Sequence, residues 1–204
     1  MSEARPDRRG PQPGSHARQP RMGPERGSRA GVALKHSDVI YTGRVITITV
    51  DQVAYPDGRM VKMECVRHRG SVVLLPMTAP DRILLVRQYR YVVDQWLWEL
   101  PAGTLEPDES LQAAALRECH EEVGKIAGHA QKLLSLFPSP GFCDEEMHFF
   151  LLTDLRDRLA GEPAAHQDPD EMLDVKEFSV TDVREMVRVG EICDMKTVVG
   201  ITLL

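Results

Sequence analysis

The stretch GTLEPDESLQAAALRECHEEVGK (103–125) decides how this chain is read. From Glu109 to Gly124 its period is helical: Asp108 is placed to cap it, and Leu111, Ala114, Ala115 and Leu116 supply an apolar stripe. Gly124 is suited to end it. On that helix Glu118, Glu121 and Glu122 stand at i, i+3 and i+4, so three carboxylates crowd one face. Like charges at that spacing repel by a few tenths of a kcal/mol, roughly, unless something positive sits among them. Arg117, four residues before Glu121, answers part of that charge, and a hard divalent cation would answer the rest, because Mg2+ prefers carboxylate oxygens. A solvated acidic helix face is the rival reading, and composition alone does not separate the two.

Outward from this helix the chain is strand-rich. VIYTGRVITITVDQV (39–53) is β-branched and reads as strand, YPDG (55–58) as a turn, and MVKMECVRH (60–68) as the returning strand. SVVLLPMT (71–78) and RILLVRQYRY (82–91) are apolar enough to be buried strands, and WLWELPAG (96–103) is a short strand ending in a turn. Strands are expected near 131–137, 146–153 and 173–178, with an acidic Gly- and Pro-containing loop at 156–172. Helical pieces are expected at 181–189 and 194–203, the second capped by Asp194. The pattern is α+β, in a domain of about 170 residues that is long enough to bury roughly two-thirds of its unfolded surface.

The net charge of −6 over 204 residues averages two unlike parts. Residues 1–31 carry seven Arg against three acids, ten Gly and Pro, and no Val, Ile, Leu, Phe, Tyr or Trp. Such a segment cannot offset the entropy of ordering it, and residues 1–35 are read as a disordered tail. The remainder of the chain, from Val32 onward, has 18 basic and 28 acidic residues, a poor general partner for nucleic acid. No apolar run of about 18 residues is present to cross a membrane, and the start lacks the apolar core of a signal peptide, so a cytoplasmic protein is expected. Cys65, Cys119, Cys143 and Cys193 are widely separated and read as reduced thiols, with neither a zinc site nor a disulfide frame.

The fixed positions Gly103, Glu109, Arg117, Glu118, Glu121, Glu122 and Gly124 resemble the Nudix box. Seven specified identities at ordinary frequencies would fall at this spacing in roughly one such chain in a million. Cys119 fills an apolar slot, and Lys125 stands where the family usually has an apolar residue, after the helix-ending Gly. RILLVRQYRY, WLWELPAG, FPSPGFCDEEMHFFLL (137–152) and GEICDMKTVVGITLL (190–204) extend the resemblance to the ADP-ribose pyrophosphatase branch of the Nudix hydrolases, over nearly everything after residue 38.

That resemblance implies a Nudix fold, a mixed β-sheet sandwiched between helices (69–204), with a small N-terminal antiparallel sheet (36–68) used in dimerisation. It implies Mg2+-dependent hydrolysis of the diphosphate of ADP-ribose, with Mn2+ as a possible substitute. A nucleoside diphosphate sugar is the implied substrate and a homodimer the implied assembly. By the same resemblance Glu118, Glu121, Glu122 and the Ala102 carbonyl would hold metal, Arg117 would orient the carboxylates, and Glu109 would support the loop and helix. Arg90 matches a diphosphate-binding arginine, Pro140 stands 16 residues after Gly124 where ADP-ribose hydrolases carry a proline, and Glu145 or Glu171 matches the general base. Trp96 and Trp98 share a strand face and read as packing rather than as an adenine platform. Arg67 and Glu64 have no assigned role, and the histidines show no ligand spacing. The rivals are hydrolysis of another sugar nucleotide such as GDP-mannose, and a non-catalytic nucleotide-sensing module, which typically loses the box carboxylates retained here.

Overall fold

The computed structural model describes residues 30–162 and 173–204. Its first unit is an antiparallel sheet of β1 (Ala33–Thr42), β2 (Ile46–Ala54) and β3 (Met60–His68) in sequence order. The stretch read as continuous strand from 39 to 53 is broken into a hairpin: Gly43 N–H donates to the Ile46 carbonyl at 2.9 Å, and β1 turns back on β2. The strand also begins at Ala33, inside the span read as tail.

The second unit is a seven-stranded mixed sheet. Along it run β10 (Leu173–Ser179), β5 (Arg82–Arg90), β4 (Ser71–Ala79), β9 (Met147–Arg156) and β8 (Ile126–Leu136). Two short strands complete it, β6 (Gln95–Glu99) on β5 and β7 (Ala102–Thr104) on β4. The β4–β9 pair is parallel and its neighbours are antiparallel.

The apolar run in β4 is explained by burial on both faces. Alternate side chains serve two cores. Val72 and Leu74 pack with Phe150, Leu152 and the Ala114, Ala115, Cys119 and Val123 face of α1 (Leu111–Val123). Val73, Leu75 and Met77 pack on the other side with Phe149, with Val183 and Met186 of α2 (Val180–Arg188), and with Ile201 of α3 (Met195–Ile201). The sheet is thus sandwiched between helices.

The helix that carries the acidic residues is capped by Ser110, whose Oγ accepts from Ala113 N–H at 3.1 Å, and not by Asp108. Asp108 has a left-handed φ of 65° and sits before the cap, so the helix starts two residues later than its period indicates. Its end agrees with the sequence: Gly124 adopts φ 71° and donates to the His120 carbonyl. Asp194 caps α3 as expected. Lys125, the departure from the apolar slot, reaches Asp157 at 2.5 Å on the surface and leaves the core undisturbed. Among the described residues no helix is long and apolar enough to cross a membrane.

Candidate active site

Three elements, β6, β7 and the second half of α1, meet along a cleft of about 1040 Å³. Its wall includes Arg90, Glu99, Ala102, Arg117, Glu118 and Glu121. Arg117 is its electrostatic centre. Its Nε and Nη2 donate to the two Glu109 oxygens at 2.9 and 3.0 Å. Its Nη1 donates to Glu118 Oε1 and to Glu121 Oε2, each at 2.7 Å. Three acids on one guanidinium raise its pKa, the hydrogen bonds to Glu109 first among the causes, and the same bonds hold the Glu109 carboxyl below its ordinary value. Glu109 also accepts from Glu106 N–H at 3.3 Å, which ties the loop to the helix.

Glu118 and Glu122 are buried although they are carboxylates. Glu122 Oε2 accepts from Ala102 N–H at 3.0 Å, joining helix to β7. Glu118 lies against Gly103 so closely that a Cβ there would stand 1.8 Å from its Cδ. Glycine at 103 is what lets Glu118 occupy this place, by contact and not by backbone angle.

The donors suit a hard divalent cation, being oxygens only, anionic and partly desolvated around one helix face. Their arrangement does not by itself form a ligand cage: among the described residues no three His, Cys, Asp or Glu converge as a metal-binding group. Arg117 Nη1 stands between Glu118 and Glu121 and supplies the positive charge there. Donor chemistry thus fits the cation, with Arg117 bonded to one oxygen of each of these two carboxylates.

Arg90 lies on the same wall. Its Nε and Nη2 donate to both oxygens of Glu99 at 2.8 and 2.7 Å, which leaves the Nη1 amino group and one Nη2 N–H not committed to Glu99. The pair raises the pKa of Arg90.

The remaining expected site residues are not brought to this wall. Pro140 and Glu145 belong to the loop between β8 and β9, and neither lines the cleft. Glu145 Oε1 accepts from Ser71 Oγ at 2.8 Å and lies 3.8 Å from His68 Nδ1. The loop is fastened to β3: Val66 N–H donates to the Phe142 carbonyl, Asp144 N–H to the Val66 carbonyl, and His68 N–H to Asp144 Oδ1. Arg67 adds contacts to Asp51 and to Asp144. Glu171 lies outside the described residues. Trp98 packs edge-on against Phe178 at the core, Trp96 is exposed beside Tyr89, Arg87 stacks over both, and neither tryptophan lines the cleft.

Sequence reasoning missed Glu99, Asp194 and Lys196 as cleft residues. The signal was present in the strand WLWEL (96–100), where a charge amid apolar residues requires a buried partner.

Comparison with known proteins places the chain in a family. The NUDIX domain family profile matches residues 67–192. An ADP-ribose pyrophosphatase of Bacillus subtilis (strain 168) is 36% identical over 165 residues, 81% of this chain and 88% of that protein. A methanol dehydrogenase activator of Bacillus methanolicus is 36% identical over 168 residues, covering 82% of this chain and 89% of its own length. The crystal structure of an ADP compounds hydrolase superposes with a TM-score of 0.68 at 20% identity, covering 84% of this chain and 91% of that one, and thereby supports the fold. With the box glutamates gathered on Arg117 and the profile spanning more than half of its length, this chain belongs to the NUDIX domain family.

Proposed function

We propose that the protein hydrolyses the diphosphate of ADP-ribose to AMP and ribose 5-phosphate, as a Mg2+-dependent cytoplasmic homodimer that accepts Mn2+ as a substitute. The observation that carries the reading is a cleft lined by both the Glu118 and Glu121 carboxylates and the Arg90 guanidinium, the charge pattern a diphosphate and its counter-cation need. The identity of the nucleotide rests on the Bacillus subtilis relative.

Glu118, Glu121, Glu122 and the Ala102 carbonyl are the groups that would hold the cation. When bound, it neutralises the diphosphate and polarises a phosphoryl oxygen. Arg117 orients Glu118 and Glu121 through its Nη1 hydrogen bonds. Arg90 offers a phosphate oxygen the N–H groups not committed to Glu99. A water adds to phosphorus, its proton passes to Glu145 or Glu171, and the bridging oxygen leaves with the other phosphate. Glu145 here accepts from Ser71 Oγ and does not line the cleft, and Pro140 lies on the same loop. The small sheet β1–β3 is the proposed dimer surface: Val39, Ile40, Tyr41, Val45 and Met60 are all exposed on it or at its edge.

The test is a product assay with Mg2+ over ADP-ribose, GDP-mannose, NADH, diadenosine polyphosphates and 8-oxo-dGTP. ADP-ribose is expected among the best substrates, yielding AMP and ribose 5-phosphate. Preference for GDP-mannose would overturn the substrate assignment and leave the hydrolase reading standing, whereas absence of turnover on every substrate would favour a nucleotide-sensing module.

A further inference from the structure

Glu99 is 1% exposed, at the end of a strand whose three preceding residues, Trp96, Leu97 and Trp98, are apolar. A carboxylate at that depth requires more than one compensating partner. It has two, and both donate to its Oε2. Arg90 grips it in bidentate fashion from the cleft side, and Lys196, itself 7% exposed, reaches it from α3. Lys196 Nζ is also 3.1 Å from Asp194 Oδ2. That same oxygen accepts from Thr197 N–H at 3.0 Å and Thr197 Oγ1 at 2.6 Å. Thr197 Oγ1 in turn accepts from Leu100 N–H at 2.7 Å. Two successive residues, Glu99 by its side chain and Leu100 by its backbone, are thus held by two successive residues of α3.

We propose that Lys196 is a positioning residue for the diphosphate: by sharing the Glu99 carboxylate with Arg90, it fixes the plane in which Arg90 faces the cleft. Without Lys196, the buried charge of Glu99 has Arg90 as its one remaining cation among the described residues, and Arg90 is drawn inward off the cleft wall. The inference rests on the diphosphate reading of the cleft, but not on ADP-ribose as the substrate.

The experiment measures binding of ADP, a plain diphosphate probe, by calorimetry with Mg2+ present. It uses the full chain, Lys196→Met, Arg90→Ala and the double variant. Loss of one charge-assisted phosphate contact predicts roughly tenfold weaker binding in each single variant. The double variant is expected to bind no more weakly than Arg90→Ala, because Lys196 acts through Arg90. Lys196→Arg, which keeps the charge, is expected to stay within about threefold of the parent. If Lys196→Met does not fold, Lys196→Gln keeps the length and a donor without the charge and carries the same expectation. Binding equal to the parent in the uncharged variant, or losses that add in full in the double variant, would overturn the proposal. Absence of ADP-ribose turnover in the parent, with the coupled ADP losses intact, would sink the ADP-ribose reading alone.

Discussion

A Cβ built on Gly103 would stand 1.8 Å from the carboxylate carbon of Glu118, so β7 and α1 are in contact at the point where the glutamate must be held. The colliding group is the far end of a flexible side chain, which can swing away at small cost to the fold but cannot then occupy the same place. Gly103→Ala is therefore expected to separate stability from function. Overpacking at such a place costs about 1–3 kcal/mol where neighbours cannot yield, and less here. The melting temperature should fall by a few degrees, roughly, while kcat/KM falls about a hundredfold or more. A large loss of melting temperature with activity retained would refute this account of the contact.

Glu122→Gln tests the cation-holding face. The amide keeps an oxygen that can accept from Ala102 N–H, so the bond between helix and β7 survives while one charge is lost. Turnover is expected to fall by about a hundredfold or more, with an unchanged circular dichroism spectrum. Mg2+ should raise the melting temperature of the parent, corresponding to about 2.7 kcal/mol at one hundred times its dissociation constant, and the increase should shrink in the variant. Chelation with EDTA should abolish turnover, and Mg2+ or Mn2+ should restore it. Undiminished turnover in the variant would remove Glu122 from the proposed set.

Acid stability depends on Glu99 and Glu109. Burial opposes ionisation of Glu99, but hydrogen bonds from Arg90 and the charge of Lys196 outweigh it and hold its carboxyl below the ordinary value of 4.5. Hydrogen bonding from Arg117 does the same for Glu109. A depressed folded-state pKa contributes stability that is fully present above the unfolded value and is lost as pH falls through the folded one. The melting temperature is expected to be flat from about pH 7 to pH 5 and to drop below about pH 4.5. Arg117→Met, which removes the partner of Glu109, should make that acid drop shallower, and an unchanged slope would exclude the pair as its source.

The thiols should divide by burial. Cys119 is fully buried in the α1 core, and its pKa is pushed up to about 12 by desolvation, whereas Cys193 is exposed. Iodoacetamide at pH 8, read by peptide mapping, should label Cys193 and leave Cys119 untouched until the protein is denatured. Early labelling of Cys119 would mean that this core opens under native conditions.

Much of this was legible in the sequence because it depends on local rules. The apolar run of β4, the Gly124 ending of α1 and the Asp194 cap are each set by a residue's own chemistry. The acidic helix was legible through spacing, since i, i+3 and i+4 fix a face without any tertiary knowledge. The hairpin at Gly43 was not, because β-branched residues flank the turn on both sides and mask it. Ser110 prevailed over Asp108 because the cap belongs to the residue whose backbone is extended, and Asp108 takes a left-handed conformation instead. The triad of Arg90, Glu99 and Lys196 unites positions up to 106 residues apart, and no local pattern announces such a meeting.

The parallel pairing of β4 with β9 runs from Ser71↔Met147 to Pro76↔Leu152, so each residue meets one 76 positions later. A loop of that length must close before either core has its floor, and closure entropy precedes any reward from burial. The two hairpins of β1, β2 and β3, by contrast, need only short turns. The β4–β9 pairing, and the β5–β10 pairing beside it, are therefore late non-local steps, and a nascent chain has no complete core until the ribosome has released Leu152 and the helices beyond it.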